Sequence, residues 1–310
     1  MRFPLLAYVF SGLAALRLAP TPPTPTYTAE IEAWRAARVS RLTAEDGWPT
    51  VVGLFWLEDG ENRIGSAKDN AIVLPASTPP HLGSIVVDKG RATLRPLADV
   101  EAGVGAGGDL TADGETVSEP RVLASDAADA ATHVRTGSVL FYVIERGGKL
   151  AVRVKDSQSP ARRDFHGLEY FPIDPSWRLE ARFEPYDPPR AISVPNVLGH
   201  QDSEKSPGAL VFERAGQTYR LDPVLERGET DYFVIFGDAT NGKDTYGAGR
   251  FLYVKPPVDG KTIIDFNKAY NPPCVFTDYA TCPLPPAQNR MKARVEAGEK
   301  EYAHPSTAEK

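Results

Sequence analysis

The chain is 310 residues long, with 42% hydrophobic residues, 25% charged residues and a formal net charge of −6. That composition is ordinary for a globular protein, and the length supplies a sizeable core for one large or two modest domains. The mildly acidic balance excludes the basic face of a nucleic-acid binder and falls short of a polyanionic tail.

The N-terminus reads MRFPLLAYVFSGLAALRLA. Arg2 gives a positive start, and the apolar run from Pro4 to Leu16 has the length of a signal-peptide core but is too short to span a membrane. Arg17 and the lack of a small-residue cleavage site also allow an ordered amphipathic segment. The compartment therefore stays open between cytoplasmic and extracytoplasmic (secreted or anchored). TPPTPT then forms a proline-rich linker, so residues 1–26 are leader and linker.

Residues 29–43 (AEIEAWRAARVSRLT) place Ile31, Trp34, Ala37 and Val39 or Leu42 at helical spacing, with Glu early and Arg late. Trp34 is expected to anchor this helix in the core. From Val51 the texture becomes β. VVGLFWL, NRIGS, AIVLP, SIVVD, ATLRP, SVLFYVIER and KLAVRVKD are separated by turn pairs such as DG, DKG and RGG. Residues 99–131, rich in Gly, Ala and Asp, read as a loop with one weak strand. The β texture resumes with ARFEPY, AISVPNVLG, ALVFERAG, QTYRLDPV, DYFVIFGD, GRFLYVKP and KTIIDF. The 28 Pro and 26 Gly are spread along the chain, as many short strands with tight turns require.

The expected fold is all-β and mainly antiparallel, with two packed sandwich or barrel-like units and a short N-terminal helix. Residues 27–156 would hold the helix and the first unit, 157–180 a connector, and 181–310 the second unit. The aromatic connector would lie at the junction, where ligand pockets tend to form.

Polar residues concentrate between Gly237 and Cys282. Asn241–Gly242 is a turn pair, and Asp238, Thr245, Tyr246 and Arg250 could surround a polar or anionic ligand or could cap their own loop. Arg250 opens the strand FLYV. Alternation puts Asp265 and Asn267 on one face of IIDFN, with Asp265 either ion-paired to Arg250 or acting as a general base. Asn271 precedes two prolines, which force an extended or turn conformation and allow a cis bond. Arg153 and Lys155 share a face of AVRVKD as a solvated edge stripe or as part of an anion pocket with Arg250. Cys274 and Cys282, with seven residues between them, read as a local disulfide or as free thiols. Without a nearby His they do not fill a zinc shell. A nucleophilic Cys274 would need a base, and His166, beside Asp164, is the best placed.

The leading functional expectation is a small polar or anionic ligand bound near Arg250 and Asp265. The alternatives are a hydrolase using Asp265 or Asp156 as base with His166 nearby, and an extracytoplasmic structural or partner-binding domain. No nucleotide loop, metal cluster or nucleophile elbow is present, so no cofactor is expected.

GWPTVVGLFWLEDGENRIGSAKDNAIVLP, VRVKDSQSPARRDFHGLEYFP, GDATNGKDTYGAGRFL and DFNKAYNPPCVFTDYATCPLPPAQNR together resemble the family called domain of unknown function 1684, from about Trp34 to Tyr302. The resemblance implies a microbial protein that is often exported or lipid-anchored. It implies no activity and carries no functional residues over. Within the first β unit, Gly65, Asn70, Ile72, Leu74, Thr78 and His81 resemble the forkhead-associated pattern. That pattern's phosphate-reading Arg is Ser66 here, which argues against phosphopeptide binding. The likeness is one of sandwich architecture, and fold does not bring function with it.

Overall fold

The computed structural model describes residues 26–97 and 109–303. The expected leader, most of the proline-rich linker and part of the Gly- and Ala-rich loop lie outside the described residues.

Helix α1 (Tyr27–Leu42) starts where the Thr26 hydroxyl accepts from the Ala29 amide at 3.3 Å. Its buried stripe is Ile31, Arg38 and Leu42. The stripe expected from sequence differs in two places. Trp34 is half-buried beside a cavity and does not anchor the core, and Ala37 is exposed. Arg38 takes a core position because its Nε meets Glu299 at 2.9 Å and its Nη2 donates to the Asn271 carbonyl at 2.9 Å. A cation can enter an apolar stripe only with such partners.

The first half of the chain carries β1 (Val51–Trp56), β2 (Gly60–Gly65), β3 (Ile72–Val73), β4 (Gly83–Asp88), β5 (Arg91–Pro96), β6 (Thr111–Ala112), β7 (Glu115–Thr116), β8 (Arg121–Leu123), β9 (Val134–Thr136), β10 (Val139–Arg146) and β11 (Lys149–Asp156). Described residues 109–131 therefore hold three short strands, where sequence suggested one. Two sheets result, in the orders β1-β11-β10-β9-β6-β7 and β3-β2-β4-β5-β8. All pairings are antiparallel except β2 with β3. Between the sheets lies one apolar core that includes Ile64, Ile85, Leu94, Phe141, Val152 and Val154. Each such apolar side chain contributes roughly 1.5–3 kcal/mol by leaving water.

The connector contains a short helix α2 (Pro160–Arg163), which sequence reading missed. Ser159 before Pro160 is its start signal: the serine hydroxyl accepts from the Arg162 amide, and proline suits the first helical position. The second half carries β12 (Arg178–Pro195), β13 (Gln201–Arg214), β14 (Gln217–Leu221), β15 (Tyr232–Phe236), β16 (Arg250–Val254) and β17 (Lys261–Asp265). One sheet runs β14-β13-β12-β17, and β15 and β16 form a two-stranded ribbon. The segments ARFEPY and AISVPNVLG are one long strand, β12, interrupted by a register shift between Pro185 and Arg190. The cis X-Pro bond among the described residues is Asp187–Pro188, not one of the prolines after Asn271.

The fold is all-β and mainly antiparallel, with α1 at its N-terminus, as the sequence texture predicts. α1 bonds to the connector and to the second half. Arg35 Nη2 donates to the Phe171 carbonyl, Tyr27 Oη to Asp265, and Lys268 pairs with Glu30.

Candidate functional site

A cavity of about 1020 Å³ lies between the two halves, walled by α1, β10–β11, the start of β13 and the β15–β16 ribbon. The period-two geometry of the strands decides which side chains reach it. On β11, Val152 and Val154 enter the first core, so Arg153 points the other way and lines the cavity. β11 lies between β1 and β10, so Arg153 and Lys155 are not on a sheet edge. Arg153 is 3% exposed. Its guanidinium lies 5.3 Å from the Trp48 ring, and Nη2 donates to the Thr281 hydroxyl at 3.3 Å, while the buried Nε has no partner. Lys155 turns to the Asp46 carbonyl at 2.6 Å, and burial lowers its pKa.

A further part of the wall comes from β15 and β16. Phe233 and Ile235 face one way, and Val234 and Phe236 the other, so both faces of β15 are buried in different clusters. On β16, Leu252 and Val254 join the second core, and Phe251 and Tyr253 face the cavity. Tyr270 stacks on Tyr253 with ring centroids 6.3 Å apart, and Arg38 lies over Tyr270 at 4.6 Å. Tyr253 donates to Glu226 at 2.5 Å. Burial raises the pKa of Tyr253 and Tyr270, and it raises that of Glu226 as well. Glu204, on the neighbouring hairpin, is raised by burial and then by Asp202 and Glu226.

The other residues singled out in the sequence sit elsewhere. Arg250 is fully buried and pairs with Asp238 at 2.9 Å, not with Asp265. Its Nη1 donates to the carbonyls of Ala297 (2.5 Å) and Glu299 (3.2 Å), and Nη2 to that of Val295 (2.8 Å). Asp238 also accepts from Thr240 and from the Val295 amide, and Thr245 shares its hydroxyl with Thr240 at 2.8 Å. Tyr246 packs against Leu42, Val275 and Phe276. This cluster fastens the C-terminal segment to β16. The reason Arg250 misses the cavity is parity: it shares a β16 face with Leu252 and Val254. Asp265 accepts from Tyr27 at 2.9 Å and caps Asn267, whose amide donates to the Asp174 carbonyl at 2.8 Å. Asn271 donates to the Lys300 carbonyl at 2.7 Å and its amide to Glu299. His166 is exposed and stacks on Tyr302 with ring centroids 5.1 Å apart. Cys274 and Cys282 are disulfide-bonded, which removes the thiol that a nucleophilic Cys274 would need. Among the described residues no three His, Cys, Asp or Glu side chains converge to hold a metal ion. Nor is any described helix long and apolar enough to cross a membrane.

Of the expected ligand residues, Arg153 alone lines the cavity. Trp48, Glu204, Glu226, Tyr253 and Thr281 were missed. Alternation along FLYV would have exposed Tyr253, but no local signal marks the two glutamates.

Residues 163–300 match the model of a family described as a protein of unknown function, DUF1684. The chain belongs to that family. The DUF1684 match takes in the β15–β16 ribbon, Glu226 and the disulfide, whereas Arg153 and Trp48 precede it. The forkhead-associated likeness gains no support from the comparisons. A solution NMR structure of an uncharacterized protein from Haloarcula marismortui is 32% identical, covering 46% of this chain and 80% of that one, with a TM-score of 0.39. No curated protein matches the chain.

Proposed function

We propose that the protein binds a small polar or anionic ligand in the cleft between its halves, with Arg153 as the group that meets the anion. The observation that carries this reading is a contrast between three buried arginines. Arg250 has Asp238, and Arg38 has Glu299. Arg153 is equally withdrawn from water, but among the described residues its guanidinium donates to one hydroxyl and has no carboxylate partner. A buried cation without a counter-ion is unfavourable, and a carboxylate or phosphate oxygen would relieve it through a charge-assisted bond. Trp48 on the guanidinium holds its plane in place.

The hydrolase reading has less behind it. Asp265 Oδ1 already accepts from Tyr27 and Asn267, and His166 stacks on Tyr302. A purely structural role describes the Asp238–Arg250 loop well but leaves Arg153 unexplained.

The test is calorimetric titration of the full chain with benzoate and with inorganic phosphate. Saturable binding of at least one is expected, weakened about tenfold or more by Arg153→Gln, the worth of one charged hydrogen bond. Equal binding by that variant, with its fold intact by circular dichroism, would overturn the assignment.

A further inference from the structure

The charges around the cleft are not uniformly paired. Arg146 pairs with Asp126, Arg38 with Glu299 and Lys268 with Glu30. Arg41 and Glu145 are exposed at the rim. What remains inside is Arg153 and three half-buried acids, Asp202, Glu204 and Glu226. None of those acids forms an ion pair among the described residues. Asp202 accepts from Asn196 at 2.9 Å, and Glu226 from Tyr253.

An acidic cluster alone would mean little. Here it shares one cavity with Arg153, a side chain only 3% exposed whose Nε is unpartnered. Aromatic faces line the same cavity, with Phe233 and Tyr253 ring centroids 5.1 Å apart and Tyr253 bonded to Glu226. Carboxylates beside aromatic faces suit an organic ammonium or guanidinium group, by charge and by cation–π attraction. A bare metal ion suits them less, because the acids do not converge into a chelating set.

We infer that the cleft takes a bipolar organic molecule, its cationic group between Glu204 and Glu226 against Tyr253 and its anionic group at Arg153. This rests on the proposed anion site and adds the ligand's second charge. A ring or short chain between the two charges would lie along the aromatic wall.

Three matched probes test it by calorimetry on the full chain: 4-(aminomethyl)benzoate with both charges, benzoate with the anion only, and benzylamine with the cation only. The bipolar probe should bind at least about tenfold more tightly than benzoate, the gain from one further charged contact. Glu226→Gln and Glu204→Gln should each remove about that tenfold from the bipolar probe and leave benzoate unchanged. Gln keeps an oxygen for Tyr253, so the hydrogen bond survives; if Glu226→Gln fails to fold, Glu204→Gln decides. Should the bipolar probe bind no better than benzoate, or both variants match the wild type, the cationic half is wrong while the Arg153 anion site stands. Binding of benzylamine with both benzoate and inorganic phosphate silent would sink the Arg153 reading and the bipolar ligand with it, as would no binding of any of these probes at millimolar concentration.

Discussion

Three arginines with the same chemistry have different roles in this protein because their neighbours differ. Among the described residues Arg250 is the largest fully buried side chain, and its two terminal nitrogens are engaged by Asp238 and three backbone carbonyls. Burial lowers its pKa, opposed by Asp238, and the pair is fixed as one structural unit. Removing one partner leaves the other charge buried and alone, which costs about 3–5 kcal/mol. Arg250→Ala should therefore lower urea-denaturation stability by that amount, and Asp238→Ala should do nearly the same. The double variant should lose less than the sum, since the uncompensated charge is gone. Additive losses would show that the two side chains are not coupled. Arg153→Gln, in contrast, should melt close to the wild type, because it removes a cation that lacks a counter-ion.

Among the elements, β16 shows most clearly how a strand divides labour. Its alternate residues feed the second core and the cleft, so one strand supplies both the Arg250 anchor and the Tyr253 wall. The Cys274–Cys282 loop performs a related task. It carries Thr281, whose hydroxyl meets both Arg146 and Arg153 at 3.3 Å. Replacing both cysteines with serine should cost about 2–3 kcal/mol of stability by freeing this short loop in the unfolded chain. The same change should loosen Thr281 and weaken benzoate binding measurably. Unchanged benzoate affinity would mean that the loop does not position Arg153. α1 matters at this scale too. Its Arg38, bonded to Glu299 and Asn271, closes one end of the cleft while tying the N-terminal helix to the C-terminal segment.

Across the whole molecule, several apolar clusters surround the cleft between the halves, and the cleft contains half-buried carboxylates. Burial raises the folded-state pKa of Glu226 and Glu204 above the ordinary value of 4.5. The sign of the resulting pH dependence follows from linkage. Above the folded pKa these ionised acids weaken the fold. Stability returns as pH falls through that value, and the contribution is complete below the unfolded value. Glu226→Gln should therefore melt at a higher temperature than the wild type at pH 7, with the difference shrinking as pH falls and vanishing below the ordinary glutamate value of 4.5. A variant less stable than the wild type at pH 7 would contradict this account.

Most of the strands, their turns and α1 were legible in the sequence because each rests on local physics. Period-two apolar runs such as FLYV and AVRV, the turn pairs and the helical spacing of Ile31 and Leu42 act over a few residues. The polar richness of residues 237–282 was legible as well, but its purpose was not. Whether Asp238 and Arg250 bind a ligand or each other depends on where the segment 295–299 lies, and chain order says nothing about that. Trp34 turned out to border a cavity, and Arg38 to be buried, because Glu299, 261 positions away, neutralises Arg38. Arg153 looked like a solvated edge residue until β1 and β10 enclosed β11 on both sides. Local backbone preference is written in neighbouring residues. The pairing of a charge, and hence whether it is spent on structure or left for a ligand, is set by long-range packing.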